Sequence, residues 1–492
     1  MALTKKRKVL PSLNLLNGLE QEEVLASLKD QYNQTKDSFK SECYSLNVDP
    51  FKICTFYDVL KEDSAMGLLE EIQNMEFTFK ENDLLSLHQT VDLNEVKTPF
   101  ISAVREFIYS EIRTIIEKVT STRFNSTVDM HGIKFMQNDN LLCHSDCLNT
   151  RHTAFILYLV PKTWSADSGG SLDLFNSDDD GNPTVVRKSL CPKFNSFSWF
   201  EVSEKSWHQV SEVLEDDIRW SISGWFHSDD APTVKPMADE FAILPNPPID
   251  SDLDILKSWI SLKYLNLEIS SEVQQKFQDD SEVSLAEFLN PEKYSCLLAE
   301  LASMDWSTVG PRNKKNFHIC TNPSETITDF IKLLNTDAFA VLLSHFTGLP
   351  LSINYDDPDC DDFADCPFGM ITSSVTRWEH RSYSLLSDQE VSNLPDRLHI
   401  FYHVDVDPNY DVDAGGYVSF ISHADKEPLL VVPPQSNTLS LVYTRTDEFG
   451  FTKYINARLK KPFYCFNAQY VARTPAEEVE NHNEDSESSS DV

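Results

Sequence analysis

Three short stretches of the sequence recur in the same order in the second half of the chain, and this repeat constrains the fold more than any other feature. The matched pairs are Arg151–Tyr158 with Arg397–Tyr402, Ser168–Phe175 with Ala414–Ile421, and Cys191–Trp199 with Pro433–Leu441. Because the chain has only 13 glycines, the Gly-Gly pair inside each middle stretch is informative. The repeat predicts a duplicated β-domain. A chance resemblance among strands is the alternative.

The spacing of apolar residues separates each half into helical and strand-like parts. Apolar residues three and four apart predict helices around Ala65–Met75 and Pro99–Thr120. Alternating runs bounded by turn residues predict strands at Ala154–Val160, Ser171–Phe175, Ser196–Val202 and Trp220–Phe226. In the second half we expect strands from near Thr376, after helices at Leu253–Ile260, Glu272–Phe288 and Pro291–Met304.

Length and composition set the domain boundaries that we expect. A chain of 492 residues exceeds what one hydrophobic core normally supports, so two domains are expected. We assign a basic flexible N-terminus to residues 1–20, a first domain to 21–230, a linker to 231–252, a second domain to 253–470 and an acidic disordered tail to 471–492. The tail has almost nothing apolar from Ala476 onward, so it cannot bury enough surface to fold.

The formal net charge of −36 indicates which kinds of partner the protein can bind. A nucleic-acid-binding surface needs clustered Lys and Arg, so we expect no direct contact with nucleic acid. Strong acidity suits a basic macromolecular partner, and solubility alone is the alternative. No apolar run approaches the roughly 20 residues of a membrane-spanning helix, so we expect no membrane contact.

The N-terminal sequence and the cysteines predict the compartment. The first residues contain no apolar segment of the secretory type, and ten cysteines follow no regular framework, which indicates a reducing compartment. The basic cluster Lys5–Lys8 is typical of a nuclear import signal, although an untethered basic tail would look the same. We therefore expect the nucleus and the cytoplasm.

One set of residues has the spacing of a two-histidine, one-carboxylate iron site. His144 and Asp146 form an H-x-D element, and residues i and i+2 of a strand face the same side. His208 is the candidate third ligand, and such a set leaves open positions for a 2-oxo acid and dioxygen. Arg219 follows at the start of a predicted strand, where a guanidinium can bind the distal carboxylate of 2-oxoglutarate bidentately. Tyr158 could reach the same carboxylate, or be a core aromatic residue.

Rival sites lack this full pattern. H-x-D also occurs at His227–Asp229, His403–Asp405 and His423–Asp425, without a downstream His followed by Arg in a strand-rich stretch. Cys143 and Cys147 flank the ligand pair and could indicate zinc, but there is no second cysteine pair at suitable spacing. The sequence therefore favours iron at His144, Asp146 and His208.

These residues closely resemble the eukaryotic ribosomal prolyl 3-hydroxylases, which are 2-oxoglutarate- and Fe(II)-dependent oxygenases of the termination-and-polyadenylation-protein type. The segments that carry the resemblance are Leu141–Asp146, Ala154–Pro161, Gly169–Leu174, Phe200–Ser203, His208–Val213, Arg219 and Ser221–His227. The resemblance continues through Glu287–Lys293 and Phe346–Leu349 to Ser440–Tyr443, and covers nearly the whole chain from Phe51 to Tyr470.

The resemblance implies a fold, a site and a reaction. The fold would be α+β and mainly β, with two double-stranded β-helix (jelly-roll) domains and flanking helices, the first catalytic and the second degenerate. His144, Asp146 and His208 would bind Fe(II), while Arg219 and Tyr158 would bind 2-oxoglutarate. L-Ascorbate would keep the iron reduced.

The implied substrate is a proline of the decoding-centre protein of the small ribosomal subunit. The enzyme would hydroxylate it with O2 and 2-oxoglutarate, releasing succinate and CO2, with effects on translation fidelity and termination. C-3 hydroxylation and 3,4-dihydroxylation both stay open. The alternatives are an oxygenase with another protein substrate and an oxygen-responsive, non-catalytic adaptor of transcription or translation factors.

The second domain is expected to bind no iron. Aligning Asn437 with Asn195 carries the position of His208 to Gly450, which has no ligand atom. A second alignment places Asp388 and Glu390 where His144 and Asp146 stand. Two carboxylates without imidazole favour hard cations. We expect this domain to brace the first one or to present the substrate, with added stability alone as the alternative.

Overall fold

The computed structural model describes residues 13, 18–19, 21–34, 37–232, 244–355, 362–386, 395–422 and 428–475. The basic cluster Lys5–Lys8, part of the expected linker, Asp388, Glu390 and the tail from Ala476 lie outside the described residues. The chain divides into two compact units, Met1–Met237 with Pro311–Asn313, and Ala238–Gly310 with Lys314–Val492. Within the part that is described, no helix has the length and apolarity needed to cross a membrane.

The strands of the first unit join in one sheet. They are β1 Phe39–Lys40, β2 Tyr44–Asn47, β3 Ile53–Phe56, β4 Thr78–Glu81, β5 Leu85–Asp92, β6 Val128–Phe135, β7 Asn140–His144, β8 Arg151–Tyr158, β9 Leu172–Ser177, β10 Pro183–Leu190, β11 Ser196–Glu201, β12 His208–Val210 and β13 Arg219–His227. Their order is β1-β2-β3-β11-β8-β13-β6-β5-β7-β12-β9-β10, and β4 pairs with β5. The four predicted strands of this half are confirmed as β8, β9, β11 and β13.

Among the described residues, four α-helices of the first unit pack against one face of this sheet. They are α1 Glu22–Gln34, α2 Glu62–Gln73, α3 Pro99–Phe107 and α4 Arg113–Thr120, with a π-helical turn at Ile108–Ile112. The predicted helices are therefore confirmed. Ile101 and Ile116 from these helices share a buried core with Phe155 and Ile222 of the sheet. Alternate residues of the same strands, such as Ala154 and Ser221, face the other side, where the candidate site lies.

The second unit also consists of one sheet with helices. Its strands are β14 Glu282–Ala286, β15 Trp306–Val309, β16 Lys315–Cys320, β17 Gly369–Trp378, β18 Tyr383–Ser384, β19 Arg397–Val404, β20 Val418–Ser422, β21 Pro428–Val432, β22 Thr438–Thr444, β23 Glu448–Thr452 and β24 Phe463–Val471. Its helices are α5 Asp254–Trp259, α6 Leu267–Asp280, α7 Pro291–Leu301, α8 Glu325–Leu334 and α9 Asp337–Thr347. The protein is thus β-rich, with two sheets.

The prediction of one helix over Glu272–Phe288 is wrong in its second part. Helix α6 ends at Asp280, Ser281 has a left-handed backbone with φ of 57°, and β14 follows. The apolar residues Val283 and Leu285 alternate with exposed ones and pair with β22, so the period there is two. Strands also begin before Thr376, because β14, β15 and β16 precede it and β17 starts at Gly369.

The repeat seen in the sequence extends to the strand order. From β14 the second sheet runs β14-β22-β19-β24-β17-β16-β18-β23-β20-β21, and from β3 the first sheet runs β3-β11-β8-β13-β6-β5-β7-β12-β9-β10. Each β-strand of one series has a counterpart at the same place in the other. Asn195 and Asn437 occupy left-handed turns before β11 and β22, and their side-chain amides bind the main chain of Leu60 and Leu289 in the same way.

Candidate active site

The sheet brings the two candidate histidines face to face. β7 ends at His144, β12 begins at His208, and the antiparallel register places these residues opposite each other, with ring centroids 4.3 Å apart. Asp146 lies between the imidazoles, with Oδ1 3.5 Å from His144 Nε2 and Oδ2 3.4 Å from His208 Nε2. In the described part of the chain, this is the only group of three or more His, Cys, Asp or Glu side chains placed to hold a metal ion.

The expected geometry of the H-x-D element is wrong in one respect. His144 is the last residue of β7, and Asp146 lies beyond the strand with φ of 61°. Asp is among the few residues that adopt this left-handed conformation at modest cost. The carboxylate therefore reaches the imidazoles because the chain turns after His144, and not because i and i+2 share one face of a strand.

Main-chain carbonyl groups determine the tautomer of both histidines. His144 Nδ1 lies 2.8 Å from the Leu142 carbonyl oxygen, and His208 Nδ1 lies 2.8 Å from the Ser206 carbonyl oxygen. A carbonyl oxygen only accepts, so each Nδ1 carries a proton and donates it. In the neutral rings the lone pairs are then on Nε2, the atoms that face Asp146. Such outer hydrogen bonds orient metal ligands.

Burial and charge act in opposite directions on these groups. Burial lowers the pKa of His144, but the hydrogen bond and charge of Asp146 outweigh burial, and the pKa is raised. Burial raises the pKa of Asp146, but His144 and His208 outweigh it and hold the pKa well below its usual range. Asp146 is therefore a carboxylate at neutral pH, and two nitrogens and one charged oxygen converge on a small volume. This donor set suits a divalent first-row metal, including Fe(II).

Arg219 is buried, and within the described residues no acidic side chain forms an ion pair with it. Its side chain is 1% exposed, its Nε donates to the Gly170 carbonyl oxygen at 2.7 Å, and Nη2 has no hydrogen-bond partner among the described residues. The guanidinium carbon lies 5.0 Å from the ring centroid of Phe135 and 5.1 Å from that of Tyr158. A buried cation with an unpaired donor is costly, so the arrangement fits an anionic ligand such as the distal carboxylate of 2-oxoglutarate.

Tyr158 lies at the end of β8 beside Arg219. It is 3% exposed, and burial raises the pKa of its hydroxyl, although Arg219 opposes that effect. Burial likewise lowers the pKa of Arg219 while Tyr158 opposes it. The hydroxyl therefore keeps its proton at neutral pH and can donate a hydrogen bond. That it reaches the co-substrate carboxylate stays a prediction.

Among the residues that the structure describes, the rival sequence patterns do not assemble into metal sites. Cys143 is buried and burial raises the pKa of its thiol, so it stays protonated outside the cluster. His227 pairs with Asp129, at 3.2 Å, and not with Asp229. His423 and Asp425 lie outside the described residues.

Sequence reasoning did not find three residues that surround the site. The main chain of Gly170 holds Arg219, and the buried Ser206 hydroxyl lies 3.2 Å from the Ser145 carbonyl oxygen. Arg151 stacks on Trp225 at 3.7 Å, and its charge lowers the pKa of His144. The Gly-Gly repeat marked Gly170 as unusual, but no local pattern indicates that these groups meet.

Comparison with known proteins covers both units. Residues 130–227 match the 2OG-Fe(II) oxygenase superfamily, and residues 251–478 match the family described as "Oxoglutarate and iron-dependent oxygenase degradation C-term". Prolyl 3-hydroxylase OGFOD1 of Mus musculus is 32% identical, over 89% of this chain and 90% of the relative. The Xenopus laevis protein of the same name is 35% identical, over 80% and 81%. Prolyl 3,4-dihydroxylase OGFOD1 of Ostreococcus tauri is 27% identical, over 86% and 96%.

Identity above 30% across most of both chains goes together here with a buried His-Asp-His cluster and a buried arginine beside it. The family implies Fe(II) and 2-oxoglutarate as cofactor and co-substrate, and the donor set fits the metal. This chain belongs to the prolyl 3-hydroxylase family of 2-oxoglutarate- and Fe(II)-dependent oxygenases.

Proposed function

We propose that this protein hydroxylates a proline of a small-ribosomal-subunit protein, with Fe(II), O2 and 2-oxoglutarate. The observation that carries the proposal is the convergence of His144, Asp146 and His208 beside the unpaired Nη2 of Arg219. These two features are the parts that an oxygenase of this kind needs, a metal with open positions and an anchor for a dicarboxylate. Prolyl hydroxylation follows from the relatives, whose names describe 3-hydroxylases and a 3,4-dihydroxylase.

Each residue of the site would have a separate role. His144 and His208 would bind Fe(II) through Nε2, and Asp146 through a carboxylate oxygen. When bound, the metal and 2-oxoglutarate supply the oxidation that inserts one oxygen atom of O2 into a C–H bond, with succinate and CO2 as products. Arg219 would pair with the distal carboxylate, with Tyr158 donating beside it. The buried position of Arg219 excludes water and strengthens that ion pair.

The ribosomal substrate is supported by charge as well as by the family resemblance. Ribosomal proteins are basic, and a net charge of −36 favours encounter with a basic partner. We extend the proposal to ascorbate as the reductant that keeps the iron active, and to the nucleus and the cytoplasm as locations. Both C-3 hydroxylation and 3,4-dihydroxylation are compatible with the site.

We assign the second unit a role without metal, as a brace or a surface that presents the substrate. The register supports this, because β23 pairs with β20 so that Gly450 stands opposite Phe420, whereas His208 stands opposite Leu174 in the first unit. Deleting the chain from Leu253 onward should lower hydroxylation of the ribosomal substrate. A soluble truncated protein with the full rate would contradict this role.

Hydroxylation of purified small ribosomal subunits tests the main proposal. The subunits come from cells that lack the enzyme, and mass spectrometry follows oxygen incorporation into their proteins with Fe(II), 2-oxoglutarate and ascorbate present. We expect one modified proline, no modification without 2-oxoglutarate, and none with His208→Ala. The His208→Ala protein should unfold at the wild-type temperature without metal. Wild-type turnover by this variant, or modification of a different class of protein only, would show that the proposal is wrong.

A further inference from the structure

A buried serine joins the two chain segments that carry the candidate metal ligands. Ser206 is fully buried, and it precedes His208 by two residues. Its hydroxyl oxygen lies 2.8 Å from the Ser203 carbonyl oxygen and 3.2 Å from the Ser145 carbonyl oxygen, so its single proton is shared between two acceptors. The Ser145 carbonyl belongs to the peptide bond that joins Ser145 to Asp146, directly after His144. The contact therefore crosses from one ligand segment to the other.

The same serine also closes its own turn. The Ser203 amide donates to the Ser206 hydroxyl oxygen at 2.9 Å, and the Ser206 amide donates to the Ser203 carbonyl oxygen at 3.1 Å. In addition, the Ser206 carbonyl accepts the Nδ1 proton of His208. One residue thus defines the turn, orients one candidate ligand and contacts the backbone beside the other two.

The second unit contains the same turn, but there the side chain at the position of Ser206 only accepts a hydrogen bond and has no proton to donate. Glu448 precedes Gly450 by two residues, as Ser206 precedes His208. The Glu448 amide donates to the Arg445 carbonyl oxygen at 3.0 Å, and the Arg445 amide donates to a carboxylate oxygen of Glu448 at 2.9 Å. The turn therefore needs only an acceptor at this position, and a carboxylate supplies it. A hydroxyl adds a proton to donate, and this donor is found in the unit that has the His-Asp-His cluster.

The backbone that receives this proton is the irregular part of the site. β7 ends at His144, and Asp146 has φ of 61°, so the peptide that contains the Ser145 carbonyl lies beyond the ladder. Even for Asp a left-handed backbone has some cost, so contacts around it help to hold the conformation. We propose that Ser206 is a positioning residue for the metal site, whose hydroxyl holds the Ser145 carbonyl so that Asp146 stays between the two imidazoles. This inference rests on the proposed metal assignment.

Metal affinity of the full-length, metal-free protein tests the inference without turnover. Mn(II) is titrated and the free ion is followed by electron paramagnetic resonance, and Co(II) reports the coordination geometry by its visible absorption. For Ser206→Ala we expect the Mn(II) Kd to rise by about tenfold or more, the range typical of lost outer hydrogen bonds, and the Co(II) bands to shift. The unfolding midpoint of the metal-free protein should fall by several degrees, because the substitution also removes the acceptor of the Ser203 amide.

Two variants separate positioning from turn stability. Ser203→Ala removes a hydroxyl of the same turn that accepts a hydrogen bond from the Lys205 amide, at 3.3 Å, and this variant should leave the Mn(II) Kd unchanged. If Ser206→Ala does not fold, Ser206→Cys keeps a side chain of similar size with a weak donor and should raise the Kd to a smaller extent. A wild-type Kd in the folded Ser206 variant, or an equal rise in Ser203→Ala, would overturn the inference.

His208→Ala distinguishes the two possible failures. Loss of Mn(II) binding in His208→Ala together with unchanged binding in Ser206→Ala refutes the role of Ser206 alone. Wild-type binding in His208→Ala refutes the metal assignment itself, and with it the inference.

Discussion

The two sheets have the same strand order but different side chains at the positions that matter for chemistry. In the first unit β12 pairs with β9, so that His208 is opposite Leu174, four residues after Gly170. In the second unit β23 pairs with β20, so that Gly450 is opposite Phe420, four residues after Gly416. Gly450 has no ligand atom, and a Cβ added there would lie 2.8 Å from the Phe420 ring. The ring thus occupies the space that a ligand side chain would need.

The two units also differ at the positions of Arg219 and Tyr158, the residues expected to bind 2-oxoglutarate. Ser221 pairs with Tyr158 in the first unit, and Arg219 lies two residues before Ser221. Cys465 pairs with His403 in the second unit, and Phe463 lies two residues before Cys465. By this register, Phe463 of the second unit stands at the position of Arg219, and His403 stands at the position of Tyr158.

Aromatic and imidazole rings line one face of the second unit, where the first unit has Ala154, Ile156, Tyr158 and Arg219 at the equivalent register positions. His399 and Phe401 stack at 6.2 Å, Phe401 and His403 at 6.4 Å, and His403 meets Phe463 edge-on at 6.0 Å. Such contacts stabilise a fold by burying apolar surface. A buried arginine with an unpaired donor does the opposite until an anion binds. The comparison shows that one strand topology can place a polar cluster or a set of packed rings at equivalent positions.

Metal counting should show the largest difference between the units. We expect one equivalent of Fe(II) per chain in the anaerobic protein, and none in His208→Ala, because the second unit has Gly450 and Phe420 at the corresponding place. Elemental analysis after removal of free metal measures the stoichiometry. Two equivalents per chain would show that the second unit also binds metal. One equivalent that remains in His208→Ala would show that the metal does not depend on His208.

Arg219→Lys should weaken 2-oxoglutarate binding without loss of charge. The ammonium cannot form the planar pair of hydrogen bonds, and losing one charge-assisted bond of about 1.5–3 kcal/mol corresponds to a roughly 10- to 100-fold rise in Kd. Calorimetric titration of the Mn(II)-loaded protein measures it. The matched control is Phe463→Leu in the second unit, which should lower stability and leave the Kd unchanged. An unchanged Kd in Arg219→Lys would assign the distal carboxylate to another residue.

Gly170→Ala should displace the Arg219 side chain, which packs directly against Gly170. Gly170 has φ of 62°, and a Cβ there would lie 2.7 Å from Arg219 Cδ, so the guanidinium must shift. We expect a rise of about tenfold in the 2-oxoglutarate KM, equivalent to about 1.4 kcal/mol. Gly416→Ala is the counterpart, with φ of 84° and Ile455 at 3.0 Å. It should reduce the unfolding temperature to a similar extent with an unchanged KM. Equal effects of both variants on KM would remove the special role of Gly170.

Acid should destabilise the second unit through its buried histidines, with the smallest effect of the four. Burial lowers the pKa of His403 from 6.5 to about 3, so it stays neutral in the folded protein while the unfolded chain binds a proton. Stability is therefore lost as the pH falls from about 6.5 toward 3, by about 0.7 kcal/mol between pH 7 and 6 for this residue. His403→Phe should flatten the pH dependence of unfolding, measured by hydrogen exchange in β19 against β8. An identical slope in wild type and variant would show that His403 does not carry the effect.

Much of the fold could be read from local patterns. The alternation in β8, β9, β11 and β13 and the 3.6-residue spacing in α2 to α4 depend on near neighbours, and these predictions are confirmed. The helix predicted across Ser281 shows the limit, because Val283 and Leu285 fit either period and only pairing with β22 decides between them. The early strands β2, β3 and β5 were missed. Strand β3 pairs with the distant β11, and β5 pairs with β6 and β7 as well as with its neighbour β4, whereas β2 pairs with its neighbours β1 and β3.

For the candidate site, the sequence by itself determined which residue types were available and in what order. The spacing of His144, Asp146, His208 and Arg219, together with the repeated Gly-Gly pair, was sufficient to select one metal set among several H-x-D elements. Donor chemistry is a property of the side chain, so it can be recognised without coordinates.

The tertiary structure decided how those groups meet. Only strand pairing places His208 opposite His144, only the left-handed backbone at Asp146 turns its carboxylate between them, and only the packed sheet brings the Ser206 hydroxyl to Ser145. The filling of the second unit by aromatic rings was likewise invisible in the repeat. The physical reason is that these contacts join residues far apart in the chain, and their geometry depends on burial and register that no local pattern records.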